Sequence, residues 1–194
     1  MNGTSTIQGK DLINVGIYCA IYCVIMTLVS MLGFVPIFLV LLPLIVPILC
    51  SIPMMLFMTK VKKFGMVTLM AILIGIFLFI TGMGYWALIL GIVCGVAADY
   101  ICKSGNYSSI KMTVLANGVF HIMIFGALIP LYMDLNGYFA THAGFGADYI
   151  ASLTSYMQPW TAPALALGAF IAGVLGALLG VKVLSKKFAS AGIK

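Results

Sequence analysis

An asparagine and a histidine stand four residues apart in the stretch LANGVFHIMIF, within a long apolar run. Residues at this spacing share one face of a helix, so Asn117 and His121 would present an amide and an imidazole side by side. His121 follows Lys111 by about 15 Å of helix, near the middle of a bilayer. Because a polar group facing lipid at that depth costs several kcal/mol, both side chains should face the interior of a helical bundle.

Two interpretations of this pair remain open. In the first, Asn117 and His121 form the floor of a substrate pocket that opens outward, and they orient a ligand by hydrogen bonds. In the second, they are ordinary polar contacts between helices, each of which contributes about 0.6 kcal/mol. We favour the pocket because the pair shares a face beneath the one long segment predicted to lie outside.

The composition indicates a polytopic membrane protein. Of the 194 residues, 63% are hydrophobic and 7% are charged, whereas a soluble domain carries roughly 25% charged residues. Several apolar runs exceed the ~20 residues that a helix needs to cross a bilayer. The net charge of +6 comes from lysines at the ends of these runs, so membrane topology explains it without a nucleic-acid partner.

The sequence predicts one all-α integral membrane domain, residues 1–194, with six transmembrane helices. The predicted spans are 12–33, 34–58, 65–81, 84–102, 108–133 and 160–184. With both termini in the cytoplasm, all ten lysines fall on the inner side, as the positive-inside rule requires. The prolines of the second span predict a helix that is kinked or interrupted.

The segment 134–158 is the one long region predicted to lie outside, and it contains no lysine. Its second half has the pattern of a short amphipathic helix, with Asp148 as a candidate N-cap. Such a helix would lie flat on the membrane or over the mouth of the bundle. This segment is therefore the predicted lid of any pocket below it.

Other residues that could do chemistry have simpler interpretations. Asp99 could relay protons, but Lys103 follows it by four residues, and we favour an ion pair. The five cysteines form no CxxC motif, so we expect reduced thiols. The chain contains no Walker A or HExxH motif and no glutamate. We therefore expect no ATP hydrolysis, no metal site, no cofactor and no enzymatic activity.

The first predicted span begins with IQGKDLINVGIYCAIYCVI, in which Gly16 and Ala20 stand four residues apart. Small residues at this spacing allow another helix to approach closely. The stretch resembles the start of the Trep_Strep-type substrate-binding (S) components of energy-coupling factor (ECF) transporters, which are six-helix bacterial membrane proteins. The likeness extends to the span count, the inside N-terminus, the long loop between spans five and six, and the basic tail.

The resemblance implies a multi-pass subunit of the bacterial cytoplasmic membrane. Such a subunit binds a vitamin or related micronutrient from outside and then docks, within the lipid, on a transmembrane coupling subunit powered by two ATPases. The family's docking motif is AxxxA on the first helix, and Gly16 and Ala20 occupy the matching positions. Since Gly is as small as Ala, docking there remains expected although the motif is not identical.

The resemblance also implies where the pocket lies, because the family builds it mainly from helices four to six and the outer loops. The loop between the first two spans is very short here, so the lid should come mainly from 134–158. The expected substrate-binding residues are Asn117, His121, Tyr85, Trp86, Tyr138, His142, Tyr149, Gln158 and Trp160. Few charges are among them, so we expect a neutral or weakly charged, partly aromatic ligand.

Two other functions remain open. A stand-alone secondary transporter, proton-coupled through His121 or Asp99, would take up its substrate without any ATPase. An intramembrane enzyme acting on a lipid or isoprenoid substrate would need His121 for turnover. The scarcity of acidic residues argues against the enzyme.

Overall fold

The computed structural model describes residues 7–141 and 144–193, and every regular element among them is helical. The start of the first helix follows a local signal, since the Asp11 carboxylate accepts the Gln8 N–H at 2.8 Å, in the manner of a capping box. The helices are α1 (Gly9–Ser30), α2 (Pro36–Lys60), α3 (Met66–Ile80), α4 (Trp86–Ser104), α5 (Ile110–Phe125), α6 (Ile129–Met133), α7 (Leu135–Thr141), α8 (Ala147–Tyr156), α9 (Thr161–Val183) and α10 (Ser185–Ser190).

Five helical segments among the described residues are long and apolar enough to cross a membrane. They are Gly9–Phe34, Pro36–Lys60, Trp86–Ser104, Ile110–Met133 and Thr161–Val183. α3 is equally apolar, but its 15 residues span only about 22 Å at the helical rise. The chain is thus a multi-pass membrane protein, as predicted, while a sixth crossing and the cytoplasmic location of both termini remain predictions.

α2 runs without a break from Pro36 to Lys60. Of the two outcomes predicted from its prolines, a kink or an interruption, the interruption does not occur. Pro36 lies in the first turn of the helix, where its missing N–H costs no hydrogen bond. Pro43, Pro47 and Pro53 lie inside the helix and are buried against its neighbours. Neighbouring helices and nearby hydroxyl groups commonly compensate for such prolines in membrane proteins.

α5 is the central helix of the bundle and packs on α2, α4 and α9. Within its apolar stretch, 61% of the residues are buried, whereas only 22% are buried in the stretch that contains α1, at the periphery. Glycines bring its neighbours to backbone contact: a Cβ at Gly126 would lie 2.6 Å from the Ala87 Cα, and one at Gly173 would lie 3.0 Å from the Gly118 Cα. Small residues are what membrane helices use for such close approach.

The lysine-rich helix ends meet at one end of the bundle, which we call the inner end; the opposite end is the outer end. The Lys63 ammonium lies 2.6 Å from the Asp11 carboxylate, which joins the start of α1 to the α2–α3 connection. Lys62 donates a hydrogen bond to the Ala191 carbonyl, and Phe188 is buried. The C-terminal segment is therefore tied beneath the bundle at the inner end.

Asp99 fastens α4 to the start of α3, and the predicted ion pair with Lys103 is wrong. The carboxylate accepts hydrogen bonds from the Thr68 N–H at 2.8 Å, the Val67 N–H at 3.3 Å and the Thr68 hydroxyl. Lys103 instead places its ammonium 5.3 Å from the centroid of the Phe64 ring. The unpaired N–H groups and the dipole at a helix N-terminus stabilise an anion, which explains this choice of partner.

Candidate functional site

Asn117 joins three helices in the middle of the bundle. As predicted, its side chain faces the interior, and its exposed fraction is 0%. The Nδ2 group donates to the Ser51 hydroxyl at 2.7 Å and to the Gly173 carbonyl at 2.8 Å. Both protons of the amide are therefore used between α5, α2 and α9, and the Oδ1 atom remains as an acceptor.

His121 is also fully buried, one turn along α5 from Asn117. Its Nδ1 lies 2.8 Å from the Asn117 backbone carbonyl. Because a carbonyl can only accept, we assign the proton to Nδ1, which leaves Nε2 as an acceptor in the neutral ring. The imidazole stacks on the Tyr22 ring at 5.9 Å between centroids and meets the Phe120 ring edge-on at 5.2 Å.

A cavity of about 160 Å³ lies between α1, α2, α3 and α5 in the outer half of the bundle. Its walls are mainly apolar, and hydroxyl groups contribute the few polar atoms. It is lined by Met26, Thr27, Ser30, Leu39, Leu42, Pro43, Val46, Phe77, Leu78, Thr81, Met83, Ile124, Ala127 and Leu128. Such a partly open apolar space suits the ring or alkyl portion of a small ligand.

The buried polar residues lie one helical turn below this cavity. Met26 follows Tyr22 by four residues on α1, and Ile124 follows His121 by three residues on α5. Met26 and Ile124 both line the cavity, whereas Asn117 and His121 do not. The polar core and the apolar cavity are thus neighbours along the bundle axis, separated by one layer of side chains.

The segment 134–158 packs over the outer end of the bundle through α7 and α8. Phe139 and Leu153 are buried, and they share one apolar cluster with Val40, Leu128 and Leu165 from the outer ends of the bundle helices. We call α7 and α8 the lid. The amphipathic helix predicted for this segment is confirmed as Ala147–Tyr156.

The start of α8 differs in detail from the prediction. Gly146, and not Asp148, occupies the N-cap position, and Asp148 lies in the first turn of the helix. A carboxylate there still interacts favourably with the helix dipole.

Two tyrosines connect the lid to the loops beside the cavity. The Tyr149 hydroxyl donates to the Gly33 carbonyl in the α1–α2 connection. The Tyr138 hydroxyl lies 3.8 Å from the sulfur of Met83, which lines the cavity. Burial raises the pKa of both phenols, so both remain neutral hydrogen-bond donors at physiological pH.

The remaining residues predicted to bind substrate lie at the periphery. Tyr85 is 51% exposed and Trp160 is 70% exposed. Trp86 stacks on Tyr85 at 5.2 Å, and Gln158 donates to the Thr154 carbonyl within its own segment. None of these predicted residues lines the cavity, and His142 lies outside the described residues. Aromatic side chains at such positions are typical of the membrane interface.

The predicted docking residues lie on the exposed side of α1. Gly16 and Ala20 are both exposed, and a Cβ at Gly16 would meet nothing within 4 Å. Nothing in the described bundle covers this stripe, so it is open to lipid or to another helix.

The residues that sequence reasoning missed are those that line the cavity. One feature of the sequence could have indicated the cavity: Thr27, Ser30 and Thr81 place hydroxyl groups near the outer ends of apolar runs. The apolar lining gave no such signal, because Leu, Val and Phe in a membrane helix face lipid, protein or a cavity with the same residue types. Only the packing of four helices distinguishes these positions.

Comparison with models of protein families identifies the family of this chain. A family model described as "hypothetical bacterial integral membrane protein (Trep_Strep)" matches residues 9–190. Neither the curated proteins nor the solved structures contain a match to the chain. The match covers all five candidate spans and the lid, and the chain therefore belongs to the Trep_Strep family of bacterial integral membrane proteins.

Proposed function

We propose that this protein is the substrate-binding subunit of an ECF-type importer. In this role it captures a vitamin or related micronutrient from outside and delivers it by docking on a coupling subunit that separate ATPases power. The observation that carries the proposal is the cavity in the outer half of the bundle, which lies beside a lid formed by α7 and α8. A binding subunit needs such a concave site near the outer surface.

The cavity also indicates the kind of ligand. Its volume of about 160 Å³ is close to the ~150 Å³ of an engineered apolar cavity that binds benzene. A single ring or a short branched alkyl group fits such a space. Since no charged side chain lines it, the group bound there is neutral.

The exposed stripe of α1 supports the docking part of the proposal. Gly16 and Ala20 leave a shallow strip along a helix whose apolar stretch is only 22% buried. In a membrane, helices associate by close packing and not by a hydrophobic driving force, so small residues are the favoured contact points. A coupling subunit would place one of its own helices along this strip.

Native mass spectrometry of the purified full-length chain tests the binding function. We expect one small molecule to co-purify in a one-to-one ratio. Ala127→Leu, which fills part of the cavity, should retain far less of it. Ala164→Leu makes the same change at an exposed position of α9 and should retain it. Loss of the ligand from both variants, or from neither, would contradict the cavity as the binding site.

Affinity purification from the native membrane tests the coupling. The wild-type chain should bring down a membrane subunit and ATPase subunits, and Ala20→Leu should lose them while keeping the ligand. Uptake by the chain alone, without ATPases and sensitive to a collapsed proton gradient, would instead support the stand-alone secondary transporter.

A further inference from the structure

We propose that Tyr22, Asn117 and His121 bind the polar end of the ligand whose apolar part occupies the cavity. We further infer that they select a group that donates hydrogen bonds, a hydroxyl or an N–H. This inference rests on the proposed binding function and extends the site by one helical turn toward the middle of the membrane.

Three buried polar atoms carry the inference. The Tyr22 hydroxyl, the Asn117 Oδ1 and the His121 Nε2 have no hydrogen-bond partner among the residues that the structure describes. All three side chains are fully buried. Buried polar groups are almost always paired, because an unpaired one loses its hydration without compensation. Three such atoms in one group of side chains therefore indicate a binding site.

These three residues lie next to one another. The backbone carbonyl of Asn117 accepts the hydrogen bond from the His121 ring, and that ring lies against the Tyr22 ring with an angle of 27° between their planes. The group spans α5 and α1. Both helices also line the cavity above.

The hydrogen-bonding capacity that remains determines the chemistry of the ligand. Both amide protons of Asn117 are used by Ser51 and Gly173, so its free atom is an acceptor. The free nitrogen of His121 is likewise an acceptor, because the other nitrogen carries the proton. The Tyr22 hydroxyl can donate or accept. Two acceptors and one adaptable hydroxyl match a donor group, whereas a carboxylate or phosphate would face two lone pairs.

Met26 is the side chain that controls access between the cavity and this group. It lines the cavity and lies one turn above Tyr22 on α1. Methionine is unbranched and rotates easily, so it can move aside without a shift of the backbone. The ligand would then lie along the bundle axis, with its ring in the cavity and its donor group pointing inward.

A matched pair of probes, phenol and toluene, tests the selection. The two molecules have nearly the same size, and only phenol donates a hydrogen bond. With the purified full-length chain in detergent, ligand-observed NMR should show tighter binding of phenol after correction for micelle partition. Tyr22→Phe and His121→Phe keep the stacked rings and should weaken phenol about ten-fold while leaving toluene unchanged. Tyr18→Phe, one turn away on α1, is the matched control and should change neither.

The histidine nitrogens provide a second readout. Isotope labelling of the full-length chain reports the ring nitrogens of its two histidines, and a His142→Gln variant shows which signals belong to His121. In the wild-type chain, phenol should shift the His121 Nε2 resonance, and toluene should not. If phenol binds but neither the variants nor the Nε2 signal responds, the group does not contact ligand and this inference is overturned, while the cavity keeps its proposed role. If neither probe binds and nothing co-purifies with the wild-type chain, the binding function itself fails.

Discussion

The two sides of α5 differ in how closely their neighbours approach. Toward α4 and α9, contact is made at glycines, and a Cβ at Gly118 would lie 2.7 Å from the Val174 side chain. Toward α1, α2 and α3, the outer half of the same bundle leaves a cavity of about 160 Å³. One side has no room for a methyl group, and the other has room for a ring.

The difference shows how a small membrane protein can combine a rigid scaffold with an adaptable site. Close packing at glycines fixes the positions of α4, α5 and α9, because interiors packed at this density do not deform continuously. The cavity side is lined mainly by leucines and other apolar residues, with Met26 and Met83 among them, and methionine adjusts readily to a new neighbour. Ligand-dependent movement is therefore expected mainly in α1, because α2 and α3 themselves meet α9 and α4 at glycines.

The largest expected effect comes from a methyl group on the close-packed side. Gly126→Ala would place a Cβ against the Ala87 backbone, and overpacking of this kind lowers the free energy of unfolding by about 1–3 kcal/mol. Gly16→Ala meets open space and should be neutral or stabilising, since Ala is the better helix former. Thermal unfolding of both variants in the same detergent makes the comparison. Equal stability would mean that Gly126 is not as closely packed as its distance to Ala87 indicates.

Removal of the Asp99 carboxylate tests the anchor between α3 and α4. Asp99→Ala leaves the Thr68 and Val67 N–H groups without their acceptor, and we expect a loss of about 1–3 kcal/mol in unfolding free energy. Asp148→Ala removes an exposed carboxylate from the first turn of α8 and should cost less than about 1 kcal/mol. Chemical denaturation of both variants measures the two losses. A small effect at Asp99 would show that the α3–α4 contact is held by packing alone.

On the cavity side, the expected effect is on binding and not on stability. Ala127→Leu fills part of the cavity, so ligand affinity should fall by about ten-fold or more while thermal stability stays the same or rises. Equilibrium binding of the co-purified ligand, with unfolding measured on the same sample, separates the two quantities. A large loss of stability in this variant would indicate that the cavity is more tightly packed than its volume implies.

The smallest expected effect concerns the lid. Tyr149→Phe removes the hydrogen bond to Gly33 and should weaken lid docking by about 1 kcal/mol, visible as faster hydrogen exchange in α8 and faster ligand release. Because burial raises the pKa of Tyr149 above its ordinary value of 10.0, its contribution is complete below about pH 10 and is lost as the pH rises through the raised value. Ligand release should therefore accelerate at high pH in the wild type. If the Tyr149→Phe variant shows the same acceleration, another group is responsible.

The fold class followed from the sequence because it depends on local properties. Apolar runs and terminal lysines are enough to predict helices that cross a membrane, and depth alone predicts that His121 and Asn117 face the interior. The partner of Asp99 could not be predicted in this way. Spacing along the helix predicted Lys103 as the partner. In the fold, the start of α3 lies against Asp99 and offers N–H groups that have no other acceptor.

The candidate site was only partly accessible to the same reasoning. Tyr138 and Tyr149 were expected in the lid, and they do connect it to the loops beside the cavity. Tyr22 and Met26 were not expected at all. Both look like ordinary residues of an apolar helix, and their importance arises only when α1 is placed against α5.

The shortness of α3 has a consequence for the surrounding lipid. Its 15 residues span about 22 Å, whereas the hydrocarbon core of a bilayer is about 30 Å thick. A hydrophobic mismatch of this size is relieved by local thinning of the bilayer or by water and head groups that reach inward around the helix ends. Phe77, Leu78 and Thr81 at the outer end of α3 line the cavity, so a membrane crossing by α3, as the sequence predicts, would make the bilayer thinnest beside the cavity. A solute arriving there from the outer solution would then have the shortest distance of hydrocarbon to cross.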